Sequence, residues 1–173
     1  YVGQFDPRKN MDGLFAAFAR AADRDPDLRL VIVGTLGKLA GLMRDALARS
    51  RLDPARVVVA GGVDDPTLAA LYAGAECLLH AAWLEGFGLT ALESLAAGTP
   101  VVGYRAGAVA EVVGDAGLLV DERDPDALGG ALLTLLGDAA MRSDLRARAK
   151  PRAARFSWDR AAADTLAVYR ALS

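Results

Sequence analysis

The chain has 173 residues, 53% of them hydrophobic but only 6% aromatic, and a formal net charge of −2. That length suits one well-packed domain spanning residues 1–173. The near balance of charge gives no general pull toward nucleic acid or a membrane surface.

Tyr1 to Phe5 reads as a first strand, followed by the loop Asp6-Pro7-Arg8-Lys9-Asn10. Asn10 is placed to cap a helix whose apolar face is Met11, Leu14, Phe15, Phe18 and Ala22. After the turn Asp25-Pro26-Asp27, the apolar run from Leu28 to Gly34 is rich in β-branched residues and reads as a buried strand. A second helix is expected over Lys38–Arg49 and a third strand over Arg56–Ala60. Asp65-Pro66 looks like an N-cap followed by Pro at the first helical position. Leu68, Leu71, Tyr72 and Ala75 line the face of the helix it opens. Strands are then expected over Glu76–Ala81, Pro100–Tyr104 and Gly117–Val120, with a short helix over Ala108–Val113. Asp124-Pro125 repeats the cap-plus-proline device ahead of a stripe of Leu128, Ala131, Leu132 and Leu135. Two closing helices follow over about residues 139–173. Ala139–Ala149 is mostly polar and basic. The other is capped by Ser157 and carries Trp158, Ala161, Ala162, Thr165 and Tyr169 on one face.

This alternation predicts an α/β protein built on a doubly wound, Rossmann-like parallel sheet of about six strands. Ligands of such folds sit beyond the carboxyl ends of the strands. The loops Asp6–Asn10, Gly34–Lys38, Gly61–Asp65, Ala82–Leu89 and Arg105–Ala108 all follow strands, so they converge on one rim.

The stretch Glu85-Gly86-Phe87-Gly88-Leu89-Thr90-Ala91-Leu92-Glu93 is the centre of that rim. A strand, a glycine turn and a helix start offer free backbone N–H groups and the positive end of a helix dipole to an anion such as phosphate. Carboxylates beside a phosphate are useful where they accept hydrogen bonds from hydroxyls. Glu85 and Glu93 together therefore suggest a ligand carrying both phosphate and polyol. The plainer alternative is that Glu85 caps the helix and Glu93 lies on the surface.

Smaller signals weigh less. His80, the only histidine, stands at a strand end and cannot belong to a histidine-rich metal site. Asp25-x-Asp27 and Asp124-x-Asp126 fit a metal-binding spacing, but each encloses a proline at a turn or cap, and both are rejected. Gly37-Lys38 lacks the earlier glycine of a Walker A loop, a position held by Ile32. Arg142, Arg146, Arg148, Lys150, Arg152 and Arg155 read as a solvated basic face. Cys77 has no partner for an internal disulfide. A cytoplasmic protein is the expectation, at the inner face of the membrane if the full-length protein makes peripheral membrane contact. Because Tyr1-Val2-Gly3 opens inside a strand, the chain reads as a fragment of a longer protein.

Tyr1-Val2-Gly3 with Asp6-Pro7-Arg8-Lys9-Asn10, then Leu30-Val31-Ile32-Val33-Gly34, then Glu85-Gly86-Phe87-Gly88 with Glu93, then Gly98-Thr99-Pro100-Val101-Val102 resembles the nucleotide-sugar-binding half of GT-B glycosyltransferases, most closely the retaining family 4 type. The resemblance implies transfer of a hexose of mannose or glucose type from a GDP-, UDP- or ADP-sugar to an acceptor hydroxyl, with no metal required. It implies a separate N-terminal acceptor domain as partner and no nucleic acid. Carried over by position, Glu93 would accept from ribose hydroxyls and Glu85 from hydroxyls of the transferred sugar. Lys9, with Arg8 beside it, would neutralise the diphosphate. Gly86 and the backbone amides of Phe87, Gly88, Leu89 and Thr90 would bind sugar and diphosphate. Gly62 and Val63 would line the base pocket, and Gly3 would lie against the nucleotide. Gln4 stands where the family commonly has an Arg that pairs with the phosphates. Two other classes remain: a sugar-nucleotide epimerase of the same fold, and a non-catalytic nucleotide-binding module.

Overall fold

The computed structural model describes residues 1–35, 40–50, 52–121 and 123–172. Among them five parallel strands alternate with helices: β1 (Leu30–Val33), β2 (Val57–Gly61), β3 (Leu78–His80), β4 (Val101–Tyr104) and β5 (Gly117–Val120). The helices are α1 (Met11–Ala22), α2 (Ala40–Ser50), α3 (Asp65–Gly74), α4 (Leu89–Ala96), α5 (Val109–Val113), α6 (Pro125–Gly137), α7 (Ala139–Ala153) and α8 (Trp158–Ala171). The strands form two sheets, ordered β1-β2 and β3-β4-β5. Leu30 pairs with Val57 in the first, and Leu79 pairs with Val102 in the second.

The expected first strand is reduced to a single bridge. Val2 pairs in parallel with Val33, Gly3 N donates to Val33 O at 2.9 Å, and Val33 N donates to Tyr1 O at 2.9 Å. From Gln4 onward the chain turns away, because Asp6 must reach back to cap the 3-10 turn Pro7–Lys9 by accepting from Arg8 N. The predicted six-stranded sheet is accordingly two smaller sheets and this bridge among the described residues.

The alternation of side chains along each strand divides the core in two. Leu30, Ile32, Leu79, Val102 and Tyr104 pack under α1, α2 and α6 with Leu14, Phe15, Phe18, Leu128, Leu132 and Leu135. Leu78 and Val101 face the opposite way, against Tyr72, Ala91, Leu95, Val109, Val112 and Val113. Helices on both faces of parallel strands are the doubly wound arrangement. No helix among the described residues is long and apolar enough to cross a membrane.

Several caps fall where the sequence put them. Asn10 adopts the left-handed conformation (φ 54°) and its Oδ1 accepts from Gly13 N at 3.1 Å. Asp124 caps α6 and Ser157 caps α8. The cap of α3 moves back one residue, to Asp64, whose carboxylate accepts from Thr67 N at 2.9 Å. Asp65 is instead the first helical residue, where its charge suits the helix dipole. The Gly37-Lys38 pair lies outside the described residues.

The two closing helices depart most from expectation. The basic face of α7 is engaged by protein. Arg142 donates to Leu135 O at 2.9 Å and to Leu136 O at the end of α6. Arg146 donates to Ala75 O, at the end of α3, at 2.5 Å. Arg152 donates from Nε to Val112 O at 3.0 Å and from its Nη2 to Glu111 O, at the end of α5. Helix C-termini leave carbonyls unpaired and carry partial negative charge, so guanidinium groups satisfy both demands. α8 forms, but none of its residues is buried, and Trp158 is 82% exposed. Its stripe is regular but stays largely exposed to solvent.

Arg152→Ala should lower unfolding stability by about 1–2 kcal/mol, the scale of a lost charged hydrogen bond at a helix end. Arg155→Ala, three residues on, should leave stability within about 0.5 kcal/mol, as expected for an exposed position. Urea unfolding monitored by circular dichroism would compare the two.

Candidate functional site

Three of the five expected rim loops, 6–10, 82–88 and 105–108, are joined by backbone and side-chain bonds; part of the loop Gly34–Lys38 lies outside the described residues. Trp83 N donates to Arg8 O at 2.8 Å, and Asn10 Nδ2 donates to Ala81 O at 3.1 Å. Ala108 N donates to Glu85 O at 3.2 Å. Gly107 makes that last approach feasible: it has φ 56°, and a Cβ there would lie 2.2 Å from Glu85 O. The loop 6–10, the loop 82–88 and the turn 105–108 are thereby one unit. Gly62 and Val63 lie at the end of β2 on the other sheet, beside Thr35, with Gly62 exposed and Val63 half-buried.

Glu85 is at the centre of this unit, with 18% of its side chain exposed. Lys9 Nζ donates to Oε2 of Glu85, and His80 Nε2 lies 3.6 Å from the same oxygen. Oε1 has no hydrogen-bond partner among the described residues. His80 first and Lys9 after it hold the carboxyl well below the usual range, at about 2, against the opposing effect of burial. His80 ends β3, is 5% exposed, and leaves its Nδ1 unpartnered. It faces Gly103 across the β3–β4 ladder, where a Cβ would come within 2.6 Å of His80 O.

Arg8 is turned elsewhere. Its guanidinium meets Asp6 twice, Nε to Oδ1 and Nη2 to Oδ2, each at 3.0 Å. That pairing, with the backbone bond from Arg8 N, holds Asp6 at about 2. Gln4 is exposed, and its carbonyl accepts from the Tyr1 hydroxyl at 3.2 Å.

Past Glu85, Gly86 and Phe87 lead to Gly88, whose φ of 93° makes it the N-cap of α4. No side chain caps this helix. The first intrahelical bond runs from Leu92 N to Gly88 O, so the amides of Leu89, Thr90 and Ala91 have no intrahelical acceptor; Ala91 is fully buried, which leaves those of Leu89 and Thr90 on the side an incoming acceptor can approach. Leu84, Phe87 and Leu89 are 58%, 45% and 49% exposed, an apolar rim around this helix start. Phe87 meets the Phe156 ring edge-on at 6.1 Å.

Glu93, one turn into α4, is held by a different partner. The Tyr72 hydroxyl donates to its Oε2 at 3.1 Å. Oε1 of Glu93 likewise has no partner among the described residues. Both carboxylates therefore have one oxygen fixed by protein and one left as a free acceptor. Glu85, Lys9 and His80 form one cluster, and Glu93 with Tyr72 another, on either side of the Gly86–Gly88 turn. Tyr72 was legible only as part of an apolar stripe; its one further signal was a hydroxyl on a buried aromatic residue, which demands a partner.

A parallel α/β unit with convergent loops, an uncapped helix start and two half-satisfied carboxylates is a ligand-binding domain of the kind that forms one half of GT-B proteins. The chain belongs to the glycosyl transferases group 1 family, which matches over residues 1–152. It is 33% identical over 174 residues to the O-antigen chain mannosyltransferase B of Escherichia coli, covering 99% of this chain and 45% of that protein. Among solved structures it is similar to a sucrose-phosphate synthase from Thermosynechococcus elongatus, with 30% identity and a TM-score of 0.79 over 99% of this chain and 45% of the other. It is also similar to the Anabaena protein HepE in complex with UDP, with 25% identity and a TM-score of 0.75 over 89% of this chain and 43% of the other. The chain spans less than half the length of the curated relatives it matches.

The depressed Glu85 carboxyl links stability to pH. A carboxyl at about 2 when folded and 4.5 otherwise contributes stability above pH 4.5 that is lost as pH falls toward 2. Glu85→Gln removes this contribution. Its unfolding free energy should decline less steeply than the wild type's across that interval, as read from urea midpoints at a series of pH values.

Proposed function

We propose that this chain is the donor-binding half of a retaining glycosyltransferase. The full protein transfers a hexose, of mannose or glucose type, from a nucleoside-diphosphate sugar to an acceptor hydroxyl. The observation that carries the reading is the pair of carboxylates with one free oxygen each, flanking an uncapped helix start. Phosphate is the natural ligand of such a helix start, and vicinal hydroxyls are the natural donors to carboxylate oxygens that protein leaves unpaired. The mannosyltransferase relative and the UDP bound by HepE support the same class of ligand.

In this reading the diphosphate rests on the amides of Leu89 and Thr90, with Gly86, Phe87 and Gly88 letting the ligand approach the backbone. Glu93 Oε1 accepts from the ribose hydroxyls, and Glu85 Oε1 from hydroxyls of the transferred sugar. Gly62, Val63 and Gly3 lie along the base and nucleoside. Reaction expels a nucleoside diphosphate, so the chemical task is to stabilise charge that grows on the leaving phosphate. Lys9 is the cation nearest that task. Its ammonium exchanges part of its interaction with Glu85 for the phosphate as the charge develops, and Arg8 can do the same by leaving Asp6. These groups supply positive charge without a metal. The acceptor hydroxyl is delivered by a separate N-terminal domain, and its proton goes to the leaving phosphate on the same face of the sugar. In this reading the protein is cytoplasmic, at the inner face of the membrane where the full-length protein makes peripheral contact.

Calorimetric titration with UDP, GDP and ADP tests the reading. At least one should bind, and Glu93→Ala should weaken it about tenfold or more, the scale of lost charged hydrogen bonds. The chain alone should turn over no acceptor. Failure to bind any of the three would favour a non-catalytic module, and unchanged binding in Glu93→Ala would remove the ribose role from that residue.

A further inference from the structure

Tyr72 is anchored at both ends. Its ring is 4% exposed and packs in the core with Leu78, Leu95 and Val101. Its carbonyl accepts from Thr99 Oγ1 at 2.6 Å and from Ala75 N at 3.1 Å. Thr99 is itself fully buried, donating from its amide to Ser94 O at 2.9 Å and accepting at its carbonyl from Ser94 Oγ at 3.0 Å. Ser94 follows Glu93 directly on α4. The backbone that carries Glu93 and the phenol that holds its side chain are thus referenced to one another through Thr99. Burial, and after it the Glu93 charge, push the Tyr72 hydroxyl far above the usual phenol range, so it stays a donor at working pH.

Glu93 is on the exposed side of α4, and its side chain has no other partner among the described residues. A glutamate so placed would sample many rotamers, and a ligand that needs one of them would bear the ordering cost. The single bond from Tyr72 removes that freedom.

We propose that Tyr72 is a positioning residue that sets the preference of this site for ribose over deoxyribose, by fixing Glu93 Oε2 so that Oε1 meets the sugar diol. This rests on the reading of the site given above. Tyr72 does not itself touch the ligand. A diol offers two donors to a carboxylate, and loss of one hydroxyl matters only where the acceptor is held in register with both.

The test compares whichever of UDP, GDP and ADP binds with its 2′-deoxy counterpart, on the wild type and on Tyr72→Phe. Thermal melts confirm that the variant is folded; it deletes only the phenolic hydroxyl and keeps the ring. The wild type should prefer the ribonucleotide by about tenfold or more, the scale of one charged hydrogen bond. Tyr72→Phe should bring that preference within about threefold, mainly by weakening the ribonucleotide and leaving the deoxynucleotide nearly unchanged. In a Glu93→Gln background, adding Tyr72→Phe should change the preference no further, as two residues acting through one contact require. Retention of the wild-type ratio in Tyr72→Phe, equal weakening of both nucleotides, or a Tyr72 effect that persists without the Glu93 carboxylate would each overturn the inference while leaving the proposed function standing. A wild type that binds nucleotide without preferring ribose overturns the inference and the Glu93 assignment together. A wild type that binds none overturns the functional reading as well.

Discussion

Glu85 is gripped from three sides, and the site depends on that grip. Lys9 reaches it from the loop before α1, His80 from the end of β3, and the Ala108 amide from the turn before α5. The Lys9 and Ala108 contacts join segments far apart in sequence and His80 closes the same loop locally, so together they fix connections between strands and helices that would otherwise be free. An ion pair with little solvent access is unfavourable to assemble unless the remaining hydrogen-bonding demands are met. Here the pairing meets them on one oxygen only. The side chain keeps 18% of its surface exposed, which leaves a route for water to the oxygen the protein does not pair.

The same logic repeats at Glu93 with a neutral donor in place of a cation. The difference is chemically useful. A lysine beside Glu85 supplies charge that can be shared with a phosphate, whereas a phenol beside Glu93 supplies direction without competing for an anion. Between them, the start of α4 is left without a side-chain cap, which in an ordinary helix would be a small loss of stability. Uncapped amides, two half-paired carboxylates and an apolar rim of Leu84, Phe87 and Leu89 are all features a fold would resolve internally if the surface were only a surface.

Much of this was readable from the chain. Asp-Pro pairs, apolar periods and the glycine turn located most helices and strands to within a few residues, because caps and periodicity act locally. The convergence of the loops also followed, because parallel strands place their carboxyl ends together. What escaped were relations that depend on distant partners. Asp64 rather than Asp65 caps α3, a choice between adjacent acids that only the backbone path decides. Tyr1–Phe5 has a strand's composition, yet Phe5 goes into the core and Asp6 into a cap, which ends the pairing after Gly3. The arginines of α7 looked like a solvated face because their acceptors, the carbonyls of three other helices, carry no signature in sequence. Tyr72 hid within its own stripe, since a core tyrosine and a tyrosine that steers a carboxylate share the same spacing.

Those arginines give α7 a reach beyond its packing. Helix tips normally fray one at a time, at little expense to the rest of a molecule. With Arg142 closing α6, Arg146 closing α3 and Arg152 closing α5, the loosening of one helix, α7, uncovers the tips of three others at once. Ala149 and Ala153 of α7 also share a core cluster with Ala91 and Leu95 of α4, so the same event reaches the floor beneath the helix that opens the site.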